Sequence, residues 1–252
     1  MRLSGPSMPF VPNPDYGKGE ARRTISLAKR GPSRVDAYLV DNYHEMRCTI
    51  DHDGSVVTSV KGEMIRYPTT ACPGAPDALQ EVVGLPLDIA TTGFYDPARL
   101  RRNCTHLFDS ALLAMRHARR TEQRRIYEAV VPDAADGPIW IEARCDGHLV
   151  HRWRIDGDVI VAPAALAGRP MLKGFGHWSA ETFDSDALEA ASVLGKTCFI
   201  ATIRPYSPAA SVGQPIVENR LLLGACYAYA PERIEGAVLR AEAAGIHKSV
   251  GR

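Results

Sequence analysis

The chain of 252 residues is 45% hydrophobic, so it is long enough to bury a full core. Because 30 lysines and arginines nearly balance 29 aspartates and glutamates, no overall charge attracts nucleic acid or an acidic membrane. The sequence has neither the apolar segment of a signal peptide nor the roughly 18 apolar residues that cross a bilayer, and its six cysteines form no CxxC pair. We therefore expect a cytoplasmic protein with reduced thiols.

The beginning of the chain predicts an arm followed by β-strands. Residues 1–22 are rich in Pro and Gly and lack periodicity, so we expect an extended arm ahead of a single α+β catalytic domain over residues 23–252. Apolar and polar residues alternate in RVDAYLVDN, in YHEMRCTI and in SVVTSVKGEMIRY, and the turn sequence DHDG joins the last two. Strand geometry places His44 on one face with Met46, Cys48 and Ile50.

The stretch NCTHLFDSALLAMRHARR, residues 103–120, predicts the longest clear helix, with Asn103 or Thr105 as its N-cap. The partial positive charge of a helix N-terminus favours a thiolate at Cys104 and a neutral imidazole at His106. Asp109 follows one turn later, where its carboxylate can orient the His106 ring. The alternative is that His106 and Asp109 only cap and solvate the start of the helix.

The remaining elements complete an α+β pattern. Short helices are expected near residues 76–83 and at DPARLRR, and RRIYEAVVP, PIWIEARCDG and HLVHRWRIDGDVIVAP predict an antiparallel meander. Gly-rich LKGFGHWSAETF predicts a loop, SDALEAASVLGKTCFIATIRP a helix, and residues 221–245 a helix or a strand followed by a helix. The whole predicts a curved antiparallel sheet packed around a central helix, with C-terminal helices.

Two segments, RYPTTACPG and NCTHLFD, together with the hairpin DNYHEMRCTIDHDG, resemble a bacterial family catalogued as a domain of unknown function. The resemblance covers roughly residues 25–160 and maps onto Arg66, Tyr67, Cys72, Cys104, His106 and Asp109. Some relatives look like components of the bacterial breakdown of aromatic and lignin-derived compounds. The resemblance therefore suggests a substrate class without identifying a reaction.

The residue types in these motifs favour proton transfer over chemistry that depends on a cofactor. No GxGxxG follows a strand, and neither a GxxxxGK[ST] nor an HExxH motif is present. We predict a cofactor-independent carbon–carbon lyase that releases formaldehyde from a lignin-derived aromatic compound. Its predicted catalytic residues are His106, Asp109, His44, Arg66, Tyr67 and Cys104. Its predicted substrate-binding residues are Arg47, Tyr43, Phe108, His177 and Trp178, although each aromatic ring is also an ordinary core candidate.

Three alternatives remain open from the sequence. Cys72, Cys104 and His106, joined by His44, offer the ligand types of a zinc site and hence of a zinc-dependent hydrolase or lyase. Cys104 is also a candidate nucleophile. A non-catalytic protein that binds an aromatic ligand needs no convergence of titratable groups. In each case we expect a homodimer with a small aromatic partner and no nucleic acid or membrane partner.

Overall fold

The computed structural model of the chain describes residues 11–134, 136–219 and 222–241. Two compact units are present: unit 1 contains Leu27–Arg124 and the described residues from Ser207 onward, and unit 2 contains Pro12–Ser26 and Arg125–Tyr206. Both combine antiparallel strands with helices, which confirms the α+β class. The predicted single catalytic domain over residues 23–252 stays a prediction, because two compact units can belong to one domain.

Unit 1 is built on two β-hairpins. Its strand order is β4-β3-β2, followed by the end of β1, and its strands are β1 (Glu20–Lys29, in part), β2 (Arg34–Asp41), β3 (Glu45–His52) and β4 (Val57–Arg66). The β2–β3 register pairs Leu39 with Met46 and Ala37 with Cys48, and all four side chains are buried. Period-2 alternation thus gives one apolar face, as predicted from the sequence.

The helices of unit 1 are α1 (Ala75–Ala78), α2 (Thr91–Phe94), α3 (Pro97–Arg102) and α4 (Thr105–Ala118). Helix α4 is buried over most of its length and contacts β2 and β3. The predicted caps of α4 are wrong, because Cys104 occupies the N-cap position without a side-chain cap bond. The Asn103 amide instead donates to the Glu81 carboxylate and to the Arg99 carbonyl, which joins α4 to the preceding segments.

The C-terminal part of unit 1 is not helical as predicted. Residues 222–241 form short turns, such as the 3-10 turn Tyr227–Tyr229, and isolated β-bridges at Val238 and Leu239. Residues 242–252 lie outside the described residues. Apolar residues of this segment pack instead in a cluster of Cys72, Ile216, Ala228, Tyr229, Ile234 and Ala237. Gly224 and Gly236, both at positive φ, interrupt a helix here and favour a turned path along the core.

Unit 2 is the predicted antiparallel meander, with strand order β5-β6-β7-β8 and the start of β1 beside β5. The strands are β5 (Arg124–Pro132), β6 (Ile139–Cys145), β7 (His148–Asp156) and β8 (Val159–Ala162), and the helices are α5 (Phe175–Thr182) and α6 (Ser185–Ala201). Helix α6 contacts β6 and β7, and α5 contacts α6.

Helix α5 occupies the stretch for which the sequence predicted a loop. Phe175 and Trp178, three residues apart, are buried in an aromatic group with Trp153 and Phe183. A Cβ on Gly195 of α6 would lie 2.5 Å from the Phe175 ring, so only glycine admits this close packing. Aromatic burial outweighs the local preference of Gly174 and Gly176 for a loop.

The described part of the predicted N-terminal arm follows unit 2 before it enters β1 at Glu20. The Asp133 carboxylate accepts hydrogen bonds from the backbone N–H groups of Gly17 and Gly19, both at 3.1 Å, and from the Arg204 guanidinium. The Asp133 and Arg204 side chains are 1% and 5% exposed. Burial alone would raise the pKa of Asp133. The hydrogen bond and charge of Arg204, together with the N–H groups of Gly17 and Gly19, outweigh burial and hold this pKa below its usual value.

No helix among the described residues is both long enough and apolar enough to cross a membrane.

We expect Arg204→Leu to lower the free energy of unfolding by about 3–5 kcal/mol, because it leaves the buried Asp133 carboxylate uncompensated. Urea denaturation measures this change. The control Arg152→Leu removes an exposed pair with Glu142 and should cost at most about 1 kcal/mol. A cost for Arg204→Leu no larger than that of the control would contradict the assignment.

Because its pKa is lowered in the folded state, Asp133 stabilises the protein above the pKa of an unfolded aspartate. This contribution disappears as the pH falls through the folded-state pKa. Asp133→Asn should therefore flatten the acid side of the stability–pH profile.

Candidate functional site

The turn that joins β2 to β3 is held by one buried carboxylate and one guanidinium. Asp41 Oδ1 accepts the backbone N–H groups of Tyr43 and His44, each at 2.9 Å. The Arg66 guanidinium donates to the carbonyl oxygens of Asp41, Asn42 and His44 at 2.6, 2.9 and 3.0 Å. Backbone donors and acceptors that the ladder cannot pair are thus satisfied by side chains, which fixes the position of His44.

The same carboxylate orients the His44 ring. His44 Nδ1 lies 3.0 Å from Asp41 Oδ1, and the Asp41 side chain is fully buried. A carboxylate only accepts, so Nδ1 is the donor and the neutral ring keeps its lone pair on Nε2. This arrangement of a buried aspartate behind a histidine is the one that prepares an imidazole to act as a general base.

A second imidazole reaches the turn from the start of α4. The rings of His44 and His106 stack with centroids 4.0 Å apart and an interplanar angle of 27°, and His106 Nε2 lies 3.9 Å from Asp41 Oδ2. Each histidine side chain is 11% exposed, so solvent reaches the edge of the pair. The structure therefore brings together two of the residues chosen from the sequence, across more than 60 positions of the chain.

Asp41 was not among the candidates chosen from the sequence. Its signal was an aspartate at the end of a predicted strand, followed by Asn42, Tyr43 and His44. Asp at such a position accepts the N–H two residues onward and starts a turn. That pattern identifies a turn, but it does not reveal that the carboxylate faces a histidine from a distant helix.

Asp109, predicted to orient His106, accepts a 2.7 Å hydrogen bond from Tyr95 Oη. Tyr95 packs edge-on against Phe94 and Phe108, and the last two rings stack at 4.1 Å. Phe108 and Tyr43, predicted to line a substrate pocket, are 0% and 3% exposed and belong to the core. The contribution of Asp109 to the orientation of His106 stays a prediction.

The predicted cations and Tyr67 have structural partners in unit 1. Arg66 holds backbone carbonyls, as described above, so it positions the turn. Arg47 is exposed and pairs with Glu63 at 2.9 Å, on the face of β3 opposite to Met46, because side chains alternate along a strand. Tyr67 packs against the Cys72 cluster, under the Arg240 guanidinium at 4.2 Å from the ring centroid.

The two predicted substrate-binding residues of unit 2, His177 and Trp178, lie on helix α5 and contact other residues of unit 2. Trp178 is 3% exposed, and its indole N–H donates to the Pro170 carbonyl at 2.8 Å. The His177 side chain is 81% exposed and lies 3.4 Å from Glu181, one turn along α5. Helix α5 replaces the loop that the sequence predicted at these positions.

The thiolate expected for Cys104 at the start of α4 is wrong, because the pKa of this thiol is raised and not lowered. Burial, followed by the nearby Cys226 thiol, raises the pKa of Cys104 to about 12, and this exceeds the opposing effect of the helix N–H groups. Burial likewise raises the pKa of Cys72 to about 11. Both thiols are therefore protonated at neutral pH, which disfavours a thiolate nucleophile.

One group of three metal-ligand side chains converges among the residues that the structure describes, and it contains no cysteine. Asp41, His44 and His106 each offer a ligand atom, and these atoms lie within 4.8 Å of one another. Cys72 and Cys104, the sulfur ligands of the zinc alternative, are not part of this group. Any metal chemistry in this region thus has an imidazole and carboxylate donor set.

Comparison with known proteins places the site in a segment of unknown function. The model of a family described as a protein of unknown function, DUF2889, matches residues 27–120. This segment includes Asp41, His44, Arg66 and His106. A search of curated proteins gave no match. The resemblance to a family of unknown function is confirmed over this narrower range, whereas the motifs and the catabolic link stay predictions.

We expect Cys104 and Cys72 to react slowly with a thiol reagent in the folded protein. A pKa raised from 9.0 to about 12 lowers the thiolate fraction of Cys104 about a thousandfold at neutral pH. Labelling followed by mass spectrometry, with and without urea, measures the rates, and Cys104→Ser identifies the labelled site. Rapid labelling of Cys104 without urea would show that the thiol is activated after all.

Proposed function

We propose that the chain is an enzyme in which Asp41, His44 and His106 perform acid/base catalysis on a small aromatic compound. The observation that carries this proposal is the 3.0 Å contact between His44 Nδ1 and the buried Asp41 carboxylate, beside the stacked His106 ring. A protein that only binds an apolar ligand has no need for a buried carboxylate beside two stacked imidazoles. As a specific reaction we propose carbon–carbon cleavage without a cofactor.

The chemistry follows from the tautomer that Asp41 imposes. His44 Nε2 removes the proton from the hydroxyl of a hydroxymethyl group, and the carboxylate stabilises the imidazolium that forms. The C–O bond becomes the carbonyl of formaldehyde as the C–C bond breaks. The electron pair left on the substrate carbon then takes up a proton. The donor is the His44 imidazolium or the neighbouring His106 ring, which is a second proton carrier. The proton removed from the hydroxyl is matched by the proton added to the product carbon, so the reaction consumes no oxidant or reductant.

The proposal of an aromatic substrate rests on the family that RYPTTACPG and NCTHLFD resemble. Some members of that family look like components of the breakdown of lignin-derived compounds. An adjacent ring would delocalise the electron pair that cleavage leaves behind, which makes an aromatic substrate chemically suitable. The proposal includes a cytoplasmic homodimer, as expected from the sequence. A non-catalytic aromatic-ligand-binding protein is the alternative that the experiment below would reveal.

The proposal is tested by screening hydroxymethyl-bearing aromatic compounds for released formaldehyde. With a turned-over compound, we expect His44→Ala to lower kcat by about 10²–10⁴, the usual contribution of a general base. Asp41→Asn should also lower kcat, because the amide keeps an oxygen for the turn N–H groups but loses the charge that stabilises an imidazolium. A colorimetric aldehyde assay with product identification by mass spectrometry gives the rates.

His148→Ala is the matched control, since His148 is an exposed histidine at the start of β7 in unit 2. It should keep the activity of the unchanged protein. Circular dichroism and urea denaturation show whether each variant is folded. Full turnover by a folded His44→Ala variant would exclude this mechanism, and binding of aromatic compounds without any conversion would favour the non-catalytic alternative.

A further inference from the structure

The group formed by Asp41, His44 and His106 has the donors, spacing and support of a metal site. We propose that these three side chains also bind a divalent transition-metal ion, and that the bound ion blocks acid/base catalysis. The second half of this inference rests on the proposed function, whereas the binding itself does not.

The donor spacing matches the requirement of a small tetrahedral ion. Bonds of about 2.0–2.1 Å from zinc to nitrogen and oxygen place neighbouring ligand atoms roughly 3.3 Å apart. In the structure His44 Nδ1 is 3.0 Å from Asp41 Oδ1, and His106 Nε2 is 3.9 Å from the other carboxylate oxygen, Oδ2. One ligand atom from each of the three residues lies within 4.8 Å of the other two. The His44 contact is close to the ideal separation, and rotation of the His106 ring and of the carboxylate would close the wider ones around an ion.

The donor types select the class of ion. Two imidazoles and one carboxylate suit Zn²⁺ and its first-row neighbours, whereas Mg²⁺ and Ca²⁺ require shells made mainly of oxygen. Three protein ligands leave one position of a tetrahedral shell open, as in metal sites that accept water or a small molecule. The partial exposure of both histidine side chains, 11% each, leaves a route for the ion.

The surrounding contacts hold the ligands in place before an ion arrives. Asp41 is fixed by the N–H groups of Tyr43 and His44, and the turn by Arg66, as described above. His106 Nδ1 lies 3.5 Å from Thr105 Oγ1, so Nε2 is the ring nitrogen that points toward Asp41. Such contacts around the ligands orient the rings and strengthen binding.

An ion at this position changes the tautomer on which catalysis depends. A neutral imidazole has a single N–H proton, so binding of the metal at His44 Nδ1 moves this proton to Nε2 through solvent, without net release of a proton. A protonated Nε2 can no longer accept a proton from the substrate. Metal binding therefore removes the general base without displacing any residue of the turn.

The test is isothermal titration of the chelator-treated full chain with Zn²⁺, supported by the absorption spectrum of the Co²⁺-loaded protein. We expect one ion per chain and d–d bands of tetrahedral coordination with nitrogen and oxygen ligands. His44→Ala and His106→Ala should each weaken binding at least tenfold, and His148→Ala should leave it unchanged. Saturable binding lost in Cys104→Ser but kept in both histidine variants would overturn the site, as would the absence of saturable binding.

The aldehyde assay with and without Zn²⁺ separates this inference from the proposed function. Turnover that falls as the ion saturates the site supports the inhibitory effect, and turnover that rises overturns it. If Zn²⁺ does not bind while turnover still depends on His44, the metal site is wrong and the enzyme proposal survives. If Zn²⁺ binds as expected while no compound is converted, the metal site stands and the enzyme proposal fails.

Discussion

The buried carboxylate of Asp41 is the constraint on which the candidate site depends. A carboxylate removed from water costs several kcal/mol unless hydrogen bonds and opposite charge replace its hydration. Here the replacements come from two backbone N–H groups and the His44 ring, while the Arg66 guanidinium donates hydrogen bonds to the carbonyl oxygens of the same turn. The interactions that satisfy the charge are those that shape the turn, so stability and the position of His44 have one physical origin.

The position of the second imidazole, His106, depends on apolar packing. His106 stacks on the His44 ring and lies 3.9 Å from the Asp41 carboxylate, and it reaches the turn because α4 packs on β2 and β3. Apolar side chains of both hairpin strands and of α4 are buried together in unit 1. Non-directional burial thus brings the helix to the hairpin, where the His106 ring stacks on a His44 ring that the Asp41 hydrogen bond orients.

Unit 2 shows the same use of a buried carboxylate at another irregular segment. Asp133 accepts the N–H groups of Gly17 and Gly19 and pairs with Arg204, so it holds the irregular chain that precedes β1. Backbone groups that leave regular structure need partners when they are buried. The hydrogen bonds of Asp133 only hold the chain in place, whereas those of Asp41 also place the His44 ring at the edge of solvent.

The sequence by itself determined the elements whose periodicity is local. Alternation in RVDAYLVDN and YHEMRCTI, the 3–4 spacing of apolar residues after Cys104 and the helix after Asp184 predicted β2, β3, α4 and α6, and the chemistry of histidine marked His44 and His106. Tertiary structure alone decided that Phe175 and Trp178 lie in a helix and that residues 222–241 follow a turned path. It also decided that burial raises the pKa of Cys104 and that Asp41 lies beside two stacked imidazoles. Hydrophobic periodicity shows which face of one segment is buried. The proximity of two residues and the desolvation of a side chain depend on which distant segments pack around them, and no local pattern in the sequence identifies those segments.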